Sequence, residues 1–239
     1  MLLTALKQKL LDLFFPQFCL HCSREGRVFC DDCFSLLEIN HWQYCPFCSY
    51  PQRVIGGGRC FKHADYKLDG LFSAVSYKSL LVKKLIGCFK YPPYLKTIAP
   101  TLSQIIIAYF LLSENQIIFH SQPNVALVPI PLFRAHQKKR GYNQSQLIAQ
   151  ELAKAWQIPL LEKALIKQKT TPKQVGLNRE QRQKNIQGAF LAPFPELIKN
   201  KKLFLIDDVF TTGSTMEEAA KTLKRAGAQE VWGIAVARE

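Results

Sequence analysis

The chain has 239 residues, with 32 lysines and arginines against 18 aspartates and glutamates, a formal net charge of +14. That length allows one large domain, or an α/β domain with a small appendage. The basic surplus suits a polyanionic partner, nucleic acid or a phosphorylated substrate, and no apolar run is long enough to span a bilayer.

Residues 1–18 carry Leu2, Leu3, Leu6, Leu10, Leu13 and Phe14 at helical spacing, which predicts an amphipathic helix. Lys7, Lys9 and Asp12 interrupt the apolar run, and neither a charged head nor a small-residue cleavage site flanks it. It does not read as a signal peptide, so a cytoplasmic location is expected.

Residues 19–68 form a cysteine-rich module. Cys19 and Cys22, Cys30 and Cys33, Cys45 and Cys48, and Cys60 and His63 are each two residues apart within their pair. A tight turn of that length points both side chains at one ion, the geometry tetrahedral zinc requires. Eight ligands make two sites, so about two structural zinc ions are expected. The spacing favours the first pair with the second and the third with the fourth, as in a double zinc ribbon, with an interleaved arrangement left open. Too few apolar residues lie here to build a core, so metal must supply most of the folding free energy. Arg24, Arg27, Trp42, Tyr44, Phe47, Tyr50, Arg53 and Arg59 offer phosphate contacts and stacking platforms for single-stranded nucleic acid, against a purely structural role. Gly56, Gly57 and Gly58 mark a loop tip. Cys88, without a partner at metal spacing, reads as a core residue.

From residue 69 to 239 the texture is that of an α/β domain, a mostly parallel sheet flanked by helices. Residues 71–77 read as a strand, 79–89 as a short helix carrying Lys83 and Lys84, 91–94 as a break and 95–112 as a second helix. Residues 125–129 form a buried strand ending in prolines. After it come Arg134, Lys138, Lys139 and Arg140 in an expected loop, then a helix with Leu147, Ile148, Leu152 and Trp156 on its apolar face. Ligands of parallel sheets gather at the carboxyl ends of strands, so this basic loop is expected to face a pyrophosphate. Residues 166–178 lack apolar periodicity and, with Lys169, Thr170, Gln174 and Arg179, read either as a basic lid or as a solvated loop.

Residues 203–206 have the composition of a buried strand, which is expected to end at Asp207 and Asp208. Thr211, Thr212, Gly213, Ser214 and Thr215 then open a helix. Amides, hydroxyls and a helix dipole converge there on one point, which suits a phosphate monoester. The two acids, about one sugar ring away, can accept hydrogen bonds from vicinal hydroxyls or help hold a metal. Phosphate plus diol describes a ribose 5-phosphate.

The stretch DDVFTTGST resembles the phosphoribosyl pyrophosphate (PRPP) signature of type I phosphoribosyltransferases. The segment 128–153, with its Arg140-Gly141-Tyr142-Asn143-Gln144 run, and the block 169–190 resemble the ComF family. That family, also called GntX or amidophosphoribosyltransferase-like, joins a zinc segment to a phosphoribosyltransferase-type domain. The chain departs from its pattern at Lys169, often arginine, and at His63, usually cysteine. The resemblance implies PRPP with Mg²⁺ as ligand, Asp207, Asp208 and Arg140 as catalytic residues, and a role in DNA uptake alongside the uptake machinery. Three readings follow: a phosphoribosyl-transferring enzyme, a non-enzymatic single-stranded-DNA-binding factor, and a PRPP-sensing adaptor.

Overall fold

The computed structural model describes residues 16–54, 58–113, 124–169 and 179–239. Most of the expected amphipathic helix, the tip at Gly56 and Gly57, and the lid residues Thr170 and Gln174 lie outside them.

Four strands, β1 (Gly70–Ser76), β2 (Val125–Pro129), β5 (Lys202–Phe210) and β6 (Glu230–Arg238), form a parallel sheet in the order β1-β6-β5-β2. Its central strands are apolar on both faces, as helix-covered parallel strands must be. Phe204, Ile206, Ile234 and Val236 pack with α2 (Leu80–Lys90), α3 (Ala99–Leu112) and α5 (Gln144–Trp156). Leu203, Leu205, Val231 and Ala235 face the other way, toward α7 (Ser214–Arg225). Gly233 is required on that face, because a Cβ there would lie 2.7 Å from Met216 Sδ and 2.9 Å from Leu71 Cδ1.

The cysteine-rich segment is built into this body. Cys19, Phe29, Cys30, Cys33 and Leu37 join the core that includes α2 and α3. The segment also covers the exposed edge of β1, where Ile39 bridges Val75 and the Asn40 amide donates to the Ala74 carbonyl at 2.8 Å. Apolar burial shared with the rest of the body therefore contributes to its folding free energy.

Four elements differ from the sequence expectation. β5 continues through both aspartates to Phe210, because β6 supplies ladder partners at Asp207 and Val209. The basic stretch expected as a loop is a helix, α4 (Arg134–Arg140), stopped by Gly141 at φ +82°. The expected lid begins as a strand: β3 (Ile166–Lys167) pairs antiparallel with β4 (Phe190–Leu191), and α6 (Arg179–Ile186) lies between them in the chain. The helix expected over 95–112 starts as a 3-10 turn, Lys96–Ile98, ahead of Pro100 in the first turn of α3. No described helix is long and apolar enough to cross a membrane.

Candidate functional site

The carboxyl ends of β1, β2 and β5 surround a cleft of about 350 Å³. Asp207, Asp208 and every residue from Val209 to Met216 line it, together with Tyr77, Lys90, Gln144, Ser145 and Lys167. The two acids stand in different environments. Asp208 is 2% exposed, and its Oδ1 forms an ion pair with Lys90 Nζ at 2.8 Å and accepts the Val209 amide at 2.7 Å. Its Oδ2 has no hydrogen-bond partner among the described residues. Asp207 Oδ1 accepts from the Ser145 hydroxyl and from the Asp208 amide, both at 2.9 Å. Burial, and then the Asp208 charge, push the Asp207 carboxyl up to about 7, against the opposing pull of Lys90 and Ser145. Burial works against the Lys90 ammonium, but Asp208 and Asp207 more than reverse it and its pKa rises. Burial holds the Lys167 ammonium below its ordinary value, against the opposing charge of Asp207.

The loop after β5 turns at Gly213, whose φ is +79°. A Cβ there would sit 2.6 Å from Phe210 Cζ and 3.2 Å from Phe47 Cε1, so only glycine fits without displacing a neighbour. The intrahelical ladder of α7 opens with the Glu217 amide donating to the Gly213 carbonyl at 2.9 Å. The amides of residues 214–216 therefore have no acceptor within the helix. They belong to residues that line the cleft, where the Thr212 and Ser214 hydroxyls lie 3.0 Å apart. Helix dipole, amides and hydroxyls converging in this way have the chemistry to hold a phosphate.

Two buried glutamates fasten the first turn of α7. Glu217 accepts the Lys67 amide at 3.0 Å and the Leu68 amide at 2.9 Å, and Glu218 accepts the Gly188 amide at 2.7 Å. The loop is also held from the cysteine side. Phe47, between Cys45 and Cys48, is buried against Gly213 and stacks on Tyr66 at 3.9 Å, and the Arg238 guanidinium donates to the Cys45 and Pro46 carbonyls at 3.1 and 3.3 Å.

The metal-ligand pairs combine in the favoured way: Cys19, Cys22, Cys30 and Cys33 in one cluster, Cys45, Cys48, Cys60 and His63 in the other, with ligand atoms of each cluster within 4.8 Å of one another. In the second cluster His63 Nδ1 lies 3.4, 3.6 and 3.2 Å from the sulfurs of Cys45, Cys48 and Cys60. Each set could hold a metal ion, and soft sulfur and imidazole donors in a compact set of four suit zinc.

Of the sequence-read site residues, the structure gathers Asp207, Asp208 and residues 211–215 around one cleft. Arg134, Lys138, Lys139 and Arg140 are not among its lining side chains; the first three are exposed on α4. Lys169 Nζ lies beside Gly188, on the hairpin side. Phe47 was read as a stacking platform, but it is 2% exposed and serves as packing, a correction that follows from its contact with Gly213. The arginines at 24 and 27 are paired with Asp32 and Asp31. Lys90 and Ser145 escaped the sequence reading, whereas Lys167 belongs to the basic stretch it singles out as a lid or solvated loop. The one signal for Lys90 was its position as the last cation of a helix that follows a buried strand.

The phosphoribosyl transferase domain model matches residues 138–238, a span that includes Asp207, Asp208 and the loop before α7. The chain is 30% identical over 236 residues to Competence protein F of Haemophilus influenzae, covering 93% of this chain and 98% of that protein. It is 27% identical over 214 residues to the DNA utilization protein YhgH of Escherichia coli (strain K12), covering 82% and 91%. The allosteric regulatory enzyme of purine biosynthesis aligns over 58% of this chain and 26% of its own, at 16% identity and a TM-score of 0.36. The chain belongs to the competence protein F (ComF) family.

Proposed function

We propose that the cleft binds PRPP and that the protein acts in the uptake or use of external DNA. The observation that carries the PRPP reading is the phosphate-type loop and the two aspartates on one 350 Å³ rim. In this reading residues 211–215 take the 5-phosphate and Asp207 and Asp208 accept from the ribose hydroxyls. Lys90 and Lys167 supply positive charge where pyrophosphate would leave, in place of Arg134, Lys138, Lys139 and Arg140, which stand on α4 beyond the wall formed by Pro131 and Leu132. Mg²⁺ arriving with the ligand would neutralise the pyrophosphate, and zinc would fill the two clusters. Phosphoribosyl transfer needs no protein nucleophile. It needs charge stabilisation at the leaving group and exclusion of water, and Lys167 on the cleft wall supports the first. The DNA reading is supported by the names of the relatives, a competence protein and a DNA utilization protein.

Calorimetry with PRPP, ribose 5-phosphate and pyrophosphate, each with Mg²⁺, tests the site. PRPP should bind most tightly, with ribose 5-phosphate retaining part of the affinity through the loop. A folded, metal-loaded chain that gives no heat with PRPP would overturn the reading. Release of pyrophosphate with an added base or amine would make the protein an enzyme rather than a PRPP-dependent binding factor.

A further inference from the structure

A second cleft, of about 490 Å³, lies where the cysteine-rich segment meets α7. Its wall combines Arg59 and Lys67, at the exit from the second metal cluster, with Lys221, Lys224 and Arg225 from the last turns of the helix. Asp69 is the one acid on that wall, and it is already shared by Arg59 at 2.7 Å and Lys224 at 2.8 Å while accepting the Val231 amide. Glu217 approaches Lys221 only at 3.8 Å, and its oxygens are occupied by the Lys67 and Leu68 amides. Lys67 and Arg225 are exposed and have no ion-pair partner among the described residues.

Five cations against two committed carboxylates, held in a concave site, concentrate positive potential instead of spreading it over a solvated face. We propose that this junction cleft is a second anion site, one that takes the phosphate backbone of single-stranded nucleic acid. It is separate from the PRPP cleft and does not depend on that reading. The donors are mostly lysine ammoniums on flexible stems, with no cage of backbone amides around one point, so they fit a string of phosphates better than a single one. Phe61, two residues from Arg59, is 84% exposed beside Lys62, and it offers a flat face on which an adjacent base can stack. The alternative basic track through the first metal cluster is weaker, since Arg24 and Arg27 are each matched by an aspartate.

The test uses the full metal-loaded chain and a fluorescein-labelled oligothymidylate of about twenty nucleotides, followed by anisotropy across a salt series. Lys67→Glu/Arg225→Glu should weaken binding by about tenfold or more, and the loss of two phosphate contacts should reduce the log–log salt slope by about 1.4. Lys67→Gln/Arg225→Gln should fall between the wild type and that variant. Lys83→Glu/Lys84→Glu changes net charge equally on exposed positions of α2 and should shift affinity less than about twofold. Melting curves and PRPP calorimetry on the junction variants should match the wild type, which separates failure of this proposal from failure of the PRPP reading. Absence of oligonucleotide binding by the wild type at low salt would overturn the proposal. So would equal losses in the junction and α2 variants, or equal displacement by polyglutamate.

Discussion

At the scale of single residues, Asp208 spends one oxygen on Lys90 inside the protein, whereas Asp207 leans on a hydroxyl and an amide. Asparagine substitution should therefore separate them. Asp208→Asn leaves the Lys90 ammonium without its closest counter-charge, and breaking a buried pair costs about 3–5 kcal/mol, so this variant should melt well below the wild type. Asp207→Asn keeps an oxygen for both hydrogen bonds and removes a carboxyl whose folded pKa is raised from 3.8 to about 7. A raised carboxyl contributes stability that is fully present below its unfolded pKa and lost as pH rises through the folded value. The wild type should thus lose stability relative to Asp207→Asn between about pH 4 and pH 7, with no further divergence above. Both variants should lose most PRPP affinity, roughly 1.5–3 kcal/mol for each charged acceptor removed. Thermal melts at a series of pH values, paired with calorimetry, would expose the split. An Asp207→Asn protein that binds PRPP normally would exclude that carboxylate from the site.

At the scale of elements, the loop before α7 is squeezed between its own strand and the second metal cluster. Gly213→Ala forces a side chain into a left-handed turn and against Phe210 and Phe47, which should cost about 1–2 kcal/mol of stability. Phosphate binding should suffer more than melting does, because displaced amides lose the ligand while the core of β5 and α7 stays packed. Parallel measurement of melting temperature and ribose 5-phosphate affinity checks this; a loss confined to stability would mean the loop does not touch the phosphate.

The same elements mark how far the sequence could be read. The metal pairs and the stretch from Asp207 to Thr215 were legible because their chemistry is local, with partners a few residues apart. The end of β5 was not, since two acids in succession read as the close of a buried strand, and only pairing with β6 carries the ladder through them. The α4 helix was hidden because a run of cations gives no apolar period. Lys90 was hidden for another reason: it meets Asp208 across 118 residues, a distance that only the crossover topology closes.

At the scale of the whole molecule, the metal clusters stand on both sides of the sheet. Cys19, Cys30 and Cys33 belong to the core containing α3, and Cys45 to the core containing α7. Metal analysis should return about two zinc ions per chain. Stripping them with a strong chelator should lower the melting of the entire protein in one cooperative transition, since four of the eight ligands, Cys19, Cys30, Cys33 and Cys45, are core residues of the body itself. A calorimetric trace with the α/β transition unmoved after chelation would show instead that the clusters fold and fail on their own.

The sheet order β1-β6-β5-β2 has a consequence for the ribosome. β6 follows every other strand in the chain yet lies between β1 and β5, and Arg238 near its end reaches back to the carbonyls of Cys45 and Pro46. While the chain is being made, the cysteine clusters and β1 emerge early, and among the described strands β1 has no sheet partner until β6 is made. Sheet closure thus waits for β6, which joins β1 to β5 in one step. A nonsense codon between residues 211 and 229 would release a polypeptide with both ligand clusters present and the edges of β1 and β5 open, a substrate for proteolysis and aggregation.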